Sequence, residues 1–157
     1  MSPEKTTIPA LPNVELPRFM GSWYVIANIP TLLEKQAFNA VESYALNPDG
    51  TIDTTFTFRK GAFDGAAKRY NPRGFVFPGT GNAIWRMRFF RVISSEYVIA
   101  HVNADYSETI IARSNRDYVW VMARTPTLSV ERYEALLARV KALGYDMSKI
   151  NKVPQKW

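Results

Sequence analysis

The sequence predicts an all-β protein: an eight-stranded antiparallel up-and-down β-barrel with one C-terminal amphipathic α-helix packed outside it. Three observations carry this prediction. From Phe19 onward, short runs rich in β-branched and aromatic residues alternate with turn signals. Within the clearest runs, apolar and polar residues alternate with period two. After the last run, one stretch changes to helical spacing and ends at a glycine. At 157 residues, 46% of them apolar, the chain has enough material for one domain with its own core and is too apolar for disorder.

Residues 1–15, with prolines at 3, 9 and 12, read as an extended N-terminal tail, and residues 16–157 as the barrel domain. Eight candidate strands follow, over 21–27, 40–46, 51–58, 67–77, 83–90, 97–103, 107–113 and 118–123. The connections have physical causes. In Asn47-Pro48-Asp49-Gly50, proline presets φ and glycine supplies a positive φ. Pro78-Gly79-Thr80-Gly81-Asn82 is a second break, and Ser114-Asn115-Arg116-Asp117 joins the last two strands. Short links between successive strands favour an up-and-down order. The helix is expected over about 129–143, with Ser129 as N-cap, Gly144 at the C-terminus, and Val130, Tyr133, Leu136, Leu137 and Val140 forming its apolar stripe.

Alternation assigns faces. Trp85, Met87 and Phe89 share one side of their strand, with Arg86 and Arg88 on the other. Tyr118, Trp120 and Met122 share a face, as do Trp23, Val25 and Ala27; these faces are expected to point inward. Eight strands close around an interior that is filled by side chains or holds one small ligand.

Composition narrows the chemistry. With no cysteine, disulfides, thiolate nucleophiles and cysteine-ligated metals are excluded. His101 is the single histidine, which argues against a zinc site, and no cofactor is expected. No run approaches the roughly 18 apolar residues of a membrane span. The N-terminus is too polar and proline-rich for a signal peptide, so the chain reads as cytoplasmic or as a mature, trimmed form. A net charge of +6 favours anionic partners, with solubility as the plainer explanation.

A search for catalytic patterns finds no Gly-x-Ser-x-Gly elbow and no phosphate-binding loop. The acids in 38–42 and 105–108 show no pairing for acid–base work, so the chain is read as a non-enzyme. Nucleic-acid binding is also disfavoured. A stacking platform sets aromatic and basic residues on one face, whereas Arg86 and Arg88 lie opposite Trp85 and Met87.

Three segments resemble the lipocalin family. Leu16-Pro17-Arg18-Phe19-Met20-Gly21-Ser22-Trp23-Tyr24 carries a Gly-x-Trp at the opening of the first strand. Ala104-Asp105-Tyr106 resembles the family's Thr-Asp-Tyr, with Ala104 in place of threonine. The run from Arg116 to Pro126, Arg-Asp-Tyr-Val-Trp-Val-Met-Ala-Arg-Thr-Pro, resembles the last strand of bacterial lipocalins and of apolipoprotein D. The resemblance implies a calyx open at one end. Its structural positions fall on Gly21, Trp23, Asp105, Tyr106 and Arg124, with Trp23 plugging the closed end and Arg124 packing across it. Losing the buried Trp23 should then cost about 3–5 kcal/mol.

On that resemblance, the function is binding and transport or storage of a small hydrophobic ligand of the fatty acid or lysophospholipid class. Trp120 and Tyr118 lead the expected ligand-binding residues, followed by Trp85, Met87, Phe89 and Phe56, then Ile99 and His101. Arg59, Lys60, Arg69 and Arg91 are the cations expected near the mouth. A filled barrel acting through its surface and a lipid-modifying enzyme are the alternatives. Peripheral membrane association and a homodimer stay open. The family's bacterial branch implies the periplasm or outer membrane, although its usual lipid-bearing cysteine is missing here.

Overall fold

A computed structural model describes residues 7–89 and 93–157. Phe90, expected to end the fifth strand, and Arg91, expected near the mouth, lie outside the described residues. The elements in chain order are α1 (Leu16–Phe19), β1 (Gly21–Ile29), β2 (Ala37–Leu46), β3 (Ile52–Lys60), β4 (Ala66–Tyr70), β5 (Arg73–Val76), β6 (Ile84–Phe89), β7 (Ile93–Val102), β8 (Glu108–Ala112), β9 (Val119–Ala123), α2 (Val130–Ala142) and β10 (Asn151–Lys152). The strands pair antiparallel in the order β10-β1-β2-β3-β5-β6-β7-β8-β9, with β4 also on β3, and β9 returns to pair with β1, which closes the barrel. Among the described residues, no helix is long and apolar enough to cross a membrane.

The strand expected over 67–77 is two pieces, β4 and β5, occupying one place in the barrel. Both pair with the continuous β3. The break falls at Asn71-Pro72, because proline has no N–H for the ladder. The Pro72 carbonyl accepts from Thr54 N at 3.2 Å, and Asn71 Nδ2 donates to Asp53 Oδ1 at 3.1 Å, so the gap is bridged.

β1 departs from the expected alternation. Trp23 and Val25 face the interior, but a bulge between Val25 and Ala27 in the β1–β9 pairing turns Ala27 to the outer layer. Beyond Tyr24, β1 leaves β2 and pairs with β10. Gln155 Nε2 spans the resulting gap, donating to the carbonyls of Val25 and Ala40, both at 2.9 Å.

Two apolar layers result. The barrel interior holds Phe19, Trp23, Tyr44, Trp85, Tyr97 and Trp120 among others. The outer layer packs Leu136 and Val140 of α2 on Val98, Ile110, Val119 and Val121. Hence β8 and β9 are buried on both faces. The Ser129 hydroxyl caps α2, accepting from Arg132 N at 3.3 Å, and Gly144 ends it at φ +95°. Val130, expected in the packed stripe, is 68% exposed at the first turn.

Residues 7–15 pack on the barrel. Ile8 and Val14 are buried, and Val14 N donates to the Gly81 carbonyl at 2.7 Å. Gly81 has φ +64°, and a Cβ there would sit 2.0 Å from the Pro12 carbonyl oxygen. Only glycine meets both demands.

Candidate ligand-binding site

The two ends of the barrel are built differently. At one end α1 crosses the opening and buries Phe19, whose ring centroid lies 5.2 Å from that of Trp23. Trp23 Nε1 donates to the Phe19 carbonyl at 2.9 Å. The Arg124 guanidinium carbon lies 3.7 Å from the Trp23 ring centroid. Its nitrogens donate to the carbonyls of Ser22, Arg18 and Met20, each at 2.9 Å, and of Phe19 and Tyr106, each at 3.2 Å. A planar fork spreads over several acceptors while stacking on a ring, which an ammonium cannot do. Gly21 turns the chain at φ +96° against this fork. The Tyr106 hydroxyl accepts from Glu15 N at 2.9 Å, and the exposed Asp105 carboxyl accepts from the Ser107 hydroxyl, which holds it below the usual carboxylate range. Gly21, Trp23, Asp105, Tyr106 and Arg124 therefore gather at one end and shut it.

The interior hollow lies toward the other end. It is walled by Phe56 of β3, Tyr70 of β4, Met87 and Phe89 of β6, Ser95 and Tyr97 of β7 and Trp120 of β9. The one-turn 3₁₀ segment Leu32–Glu34, between β1 and β2, covers it together with Thr31 and Pro72. A reciprocal capping box between Thr31 and Glu34 shapes that turn. Its Leu32 points out, 76% exposed, while Glu34 points in and is buried.

Glu34 meets a second buried acid, Glu42 of β2, on the wall of the same hollow. Glu34 Oε1 accepts from Trp120 Nε1 at 2.9 Å and from Thr31 N at 3.3 Å. Glu42 is 7% exposed, and no hydrogen-bond donor among the described residues reaches its carboxyl. Burial pushes Glu34 up to about 7, against the opposing pull of its Trp120 bond. Burial, and then the charge of Glu34, push Glu42 up to about 8. Below these acids the Tyr97 hydroxyl bonds that of Tyr44, and the Tyr97 ring stacks 5.2 Å from Trp85. Burial and both carboxylates drive the Tyr97 phenol upward.

The hollow encloses about 40 Å³. That is far below the several hundred Å³ of a site for a drug-sized ligand. A broader hollow of about 660 Å³ lies outside the barrel, between residues 28–38 and 148–154, and is an open surface groove rather than an interior. Among the described residues, no group of three or more His, Asp or Glu gathers as a metal would require.

Of the ligand-binding residues expected from sequence, Trp120, Met87, Phe89 and Phe56 line the hollow. Tyr118 lies beside it, its ring 6.4 Å from that of Trp120, under the Arg113 guanidinium. Trp85 does not line it: fully buried and bonded through Nε1 to the Asn82 carbonyl, it fills the floor with Phe19 and Tyr44. Ile99 points inward but packs beneath the hollow in the core. His101 is on the outside. A bulge between Ile99 and His101 shifts the β7–β8 register, so His101 faces Arg139, Ala142 and Leu143 at α2. Partial burial and the Arg139 charge depress its imidazole. Arg59, Lys60 and Arg69 are exposed and do not line the hollow. Glu42 was read in the sequence only as an acid without a partner, and Glu34 not at all. For Glu42 a signal existed, since it alternates in phase with the inward Ala40 and Tyr44. Glu34 has none, because a turn residue has no strand phase.

A family model described as Lipocalin-like domain matches residues 14–155. The chain is 28% identical over 164 aligned positions to Temperature-induced lipocalin-1 of Arabidopsis thaliana, covering 97% of this chain and 85% of that protein. It is 28% identical over 153 positions to Outer membrane lipoprotein Blc of Escherichia coli K12, covering 91% and 80%. Among solved structures, insecticyanin from the tobacco hornworm Manduca sexta superposes with a TM-score of 0.73 at 16% identity, over 93% of this chain and 83% of that one. Lobster apocrustacyanin A1 superposes with a TM-score of 0.70 at 14% identity, over 96% and 92%.

Proposed function

Because the chain belongs to the lipocalin-like family, whose members bind small hydrophobic ligands, we propose that it binds and carries a single-chain lipid of the fatty acid or lysophospholipid class, without turnover. The observation that supports this most directly is the hollow itself. It is walled by Phe56, Met87, Phe89 and Trp120, shut below by the Trp23–Arg124 stack, and covered above by one turn of chain. Apolar atoms moved from water into such a site gain about 25 cal/mol per Å². An acyl chain needs far more room than about 40 Å³, since sites for such ligands run to several hundred Å³. Ligand entry on this reading displaces the Leu32–Glu34 turn and re-sets the unbranched Met87. By relation to the outer-membrane lipoproteins named Blc, the proposed location is the cell envelope, periplasm or outer membrane.

The small volume also favours a second reading, a filled barrel that acts through its surface. Native mass spectrometry of the purified protein, with tryptophan-quenching titrations against lauric acid and a lysophosphatidylcholine, separates the two. A co-purified lipid or saturable quenching at micromolar ligand supports carriage. No bound mass and no saturable response to either lipid overturns it in favour of the filled barrel.

A further inference from the structure

The walls of the hollow hold five aromatic rings and two carboxyl groups, and no Lys, Arg or His of the described residues lines it. This is an unusual balance for a chain of net charge +6. Every cation expected near the mouth that the structure describes is exposed. The interior alone is acidic.

Glu42 is the telling residue. A buried polar group is normally hydrogen-bonded, because leaving it unpaired forfeits its hydration. Glu42 is nine-tenths buried, lines the hollow, and receives no donor from the described residues. Glu34 satisfies part of its own need through Trp120 and Thr31 and adds a second acid to the same space. What this set of groups lacks is a donor bearing positive charge. Aromatic faces attract cations through their quadrupoles, most strongly when water is excluded, and rings combined with carboxylates make a cage for an ammonium group.

We propose that the hollow receives the ammonium head of a single-chain amphiphile, seated against the Glu34 and Glu42 carboxyls and boxed by the Phe56, Tyr70, Tyr97 and Trp120 rings. The proposal rests on the carrier reading of the same cavity and narrows its ligand. An enclosed volume of about 40 Å³ has room for a small head even before the turn moves. The chain would then run toward the mouth past Phe89 and beneath Leu33. An ionised fatty acid is the wrong partner, since its carboxylate would be a third acid beside Glu34 and Glu42 in a hollow that no cation of the described residues lines. Among the described residues, the titratable groups that face the two acids are Tyr70 from β4 and Tyr97 from β7, and neither supplies positive charge.

Three probes of equal chain length test this: n-dodecylamine, dodecanol and dodecanoate, each titrated calorimetrically into the whole protein at pH 7. The amine is charged at that pH, as a lysine side chain is. The expected order is amine tighter than alcohol by about tenfold, and alcohol tighter than dodecanoate. Amine binding should also release protons, read from the dependence of its heat on buffer, because a seated cation favours the ionised acids. In Glu42→Gln and Glu34→Gln, with folding checked by near-ultraviolet circular dichroism, the amine-to-alcohol ratio should fall toward one. Dodecanoate binding as tightly as the amine overturns the proposal and leaves lipid carriage standing, as does an unchanged ratio in folded variants. If the variants do not fold, the wild-type proton release decides, and its absence overturns the proposal. Silence of all three probes overturns the carrier reading itself.

Discussion

Trp120 Nε1 donates to the Glu34 carboxyl at 2.9 Å, joining the last strand of the barrel to the turn that covers its mouth. Both residues are buried, so the bond forms away from competing water. Through it a ring of the cavity wall holds the lid. A tryptophan read from sequence as pocket wall is therefore also the latch of the pocket.

Trp120→Phe keeps a ring in the wall and removes the donor. Glu34 then stays buried with less compensation, so the variant should lose about 1–3 kcal/mol and the Glu34 carboxyl should rise beyond about 7. Urea denaturation at pH 7 and carboxyl NMR titration read the two effects. Wild-type values for both would mean that the latch is open in solution.

Stability should fall as pH rises. Glu42 titrates near 4.5 when unfolded and near 8 when folded. Below 4.5 it is protonated in both states and costs nothing. Between 4.5 and 8 the folded protein retains a proton that the unfolded chain releases, so the folded state is progressively penalised. Above 8 the penalty is complete, on the order of 3–5 kcal/mol. Glu34 adds a smaller decline ending near 7. In Glu42→Gln the upper part of this decline should vanish, which makes the variant more stable than wild type at pH 9 and nearly equal at pH 4. Urea midpoints at pH 4, 6, 8 and 9 measure it, and parallel wild-type and variant profiles would contradict it.

At the closed end, Arg124→Lys should destabilise by about 2 kcal/mol, because one ammonium cannot reach five carbonyls and cover the indole. Trp23→Ala should cost about 3–5 kcal/mol. Thermal and urea unfolding read both. A loss in Arg124→Lys no larger than that of an exposed arginine such as Arg69→Lys would show the stack to be ornamental.

His101→Gln should leave ligand affinity within about twofold of wild type, since the residue faces α2 and not the cavity. The titration with lysophosphatidylcholine checks this. A tenfold or greater loss would put the imidazole back inside the barrel.

Much of the fold was legible because strand alternation and turn chemistry are local. Trp85, Met87 and Phe89 sit inward and Arg86 and Arg88 outward, as their alternation requires. Gly50 and Gly144 adopt the positive φ that their turns demand. Alternation failed where the backbone bulges. An inserted residue reverses every later side chain, and the bulges before Ala27 and His101 carry no distinctive residue type. Depth along the barrel was equally hidden. Trp85 and Met87 share a face, yet one fills the floor and the other lines the hollow, because period two reports side and not height.

By itself the sequence determined an eight-stranded barrel with an outer helix, a family, and an aromatic interior, since these follow from periodicity and from motifs read within a few residues. Only the tertiary structure decided that the hollow is small and that two acids, and no cation of the described residues, line it. Glu34 comes from a turn and Glu42 from a strand, and nothing in their local sequence brings them together. Barrel closure does so by folding the Leu32–Glu34 turn over the mouth, and burial there raises both carboxyls toward neutral pH.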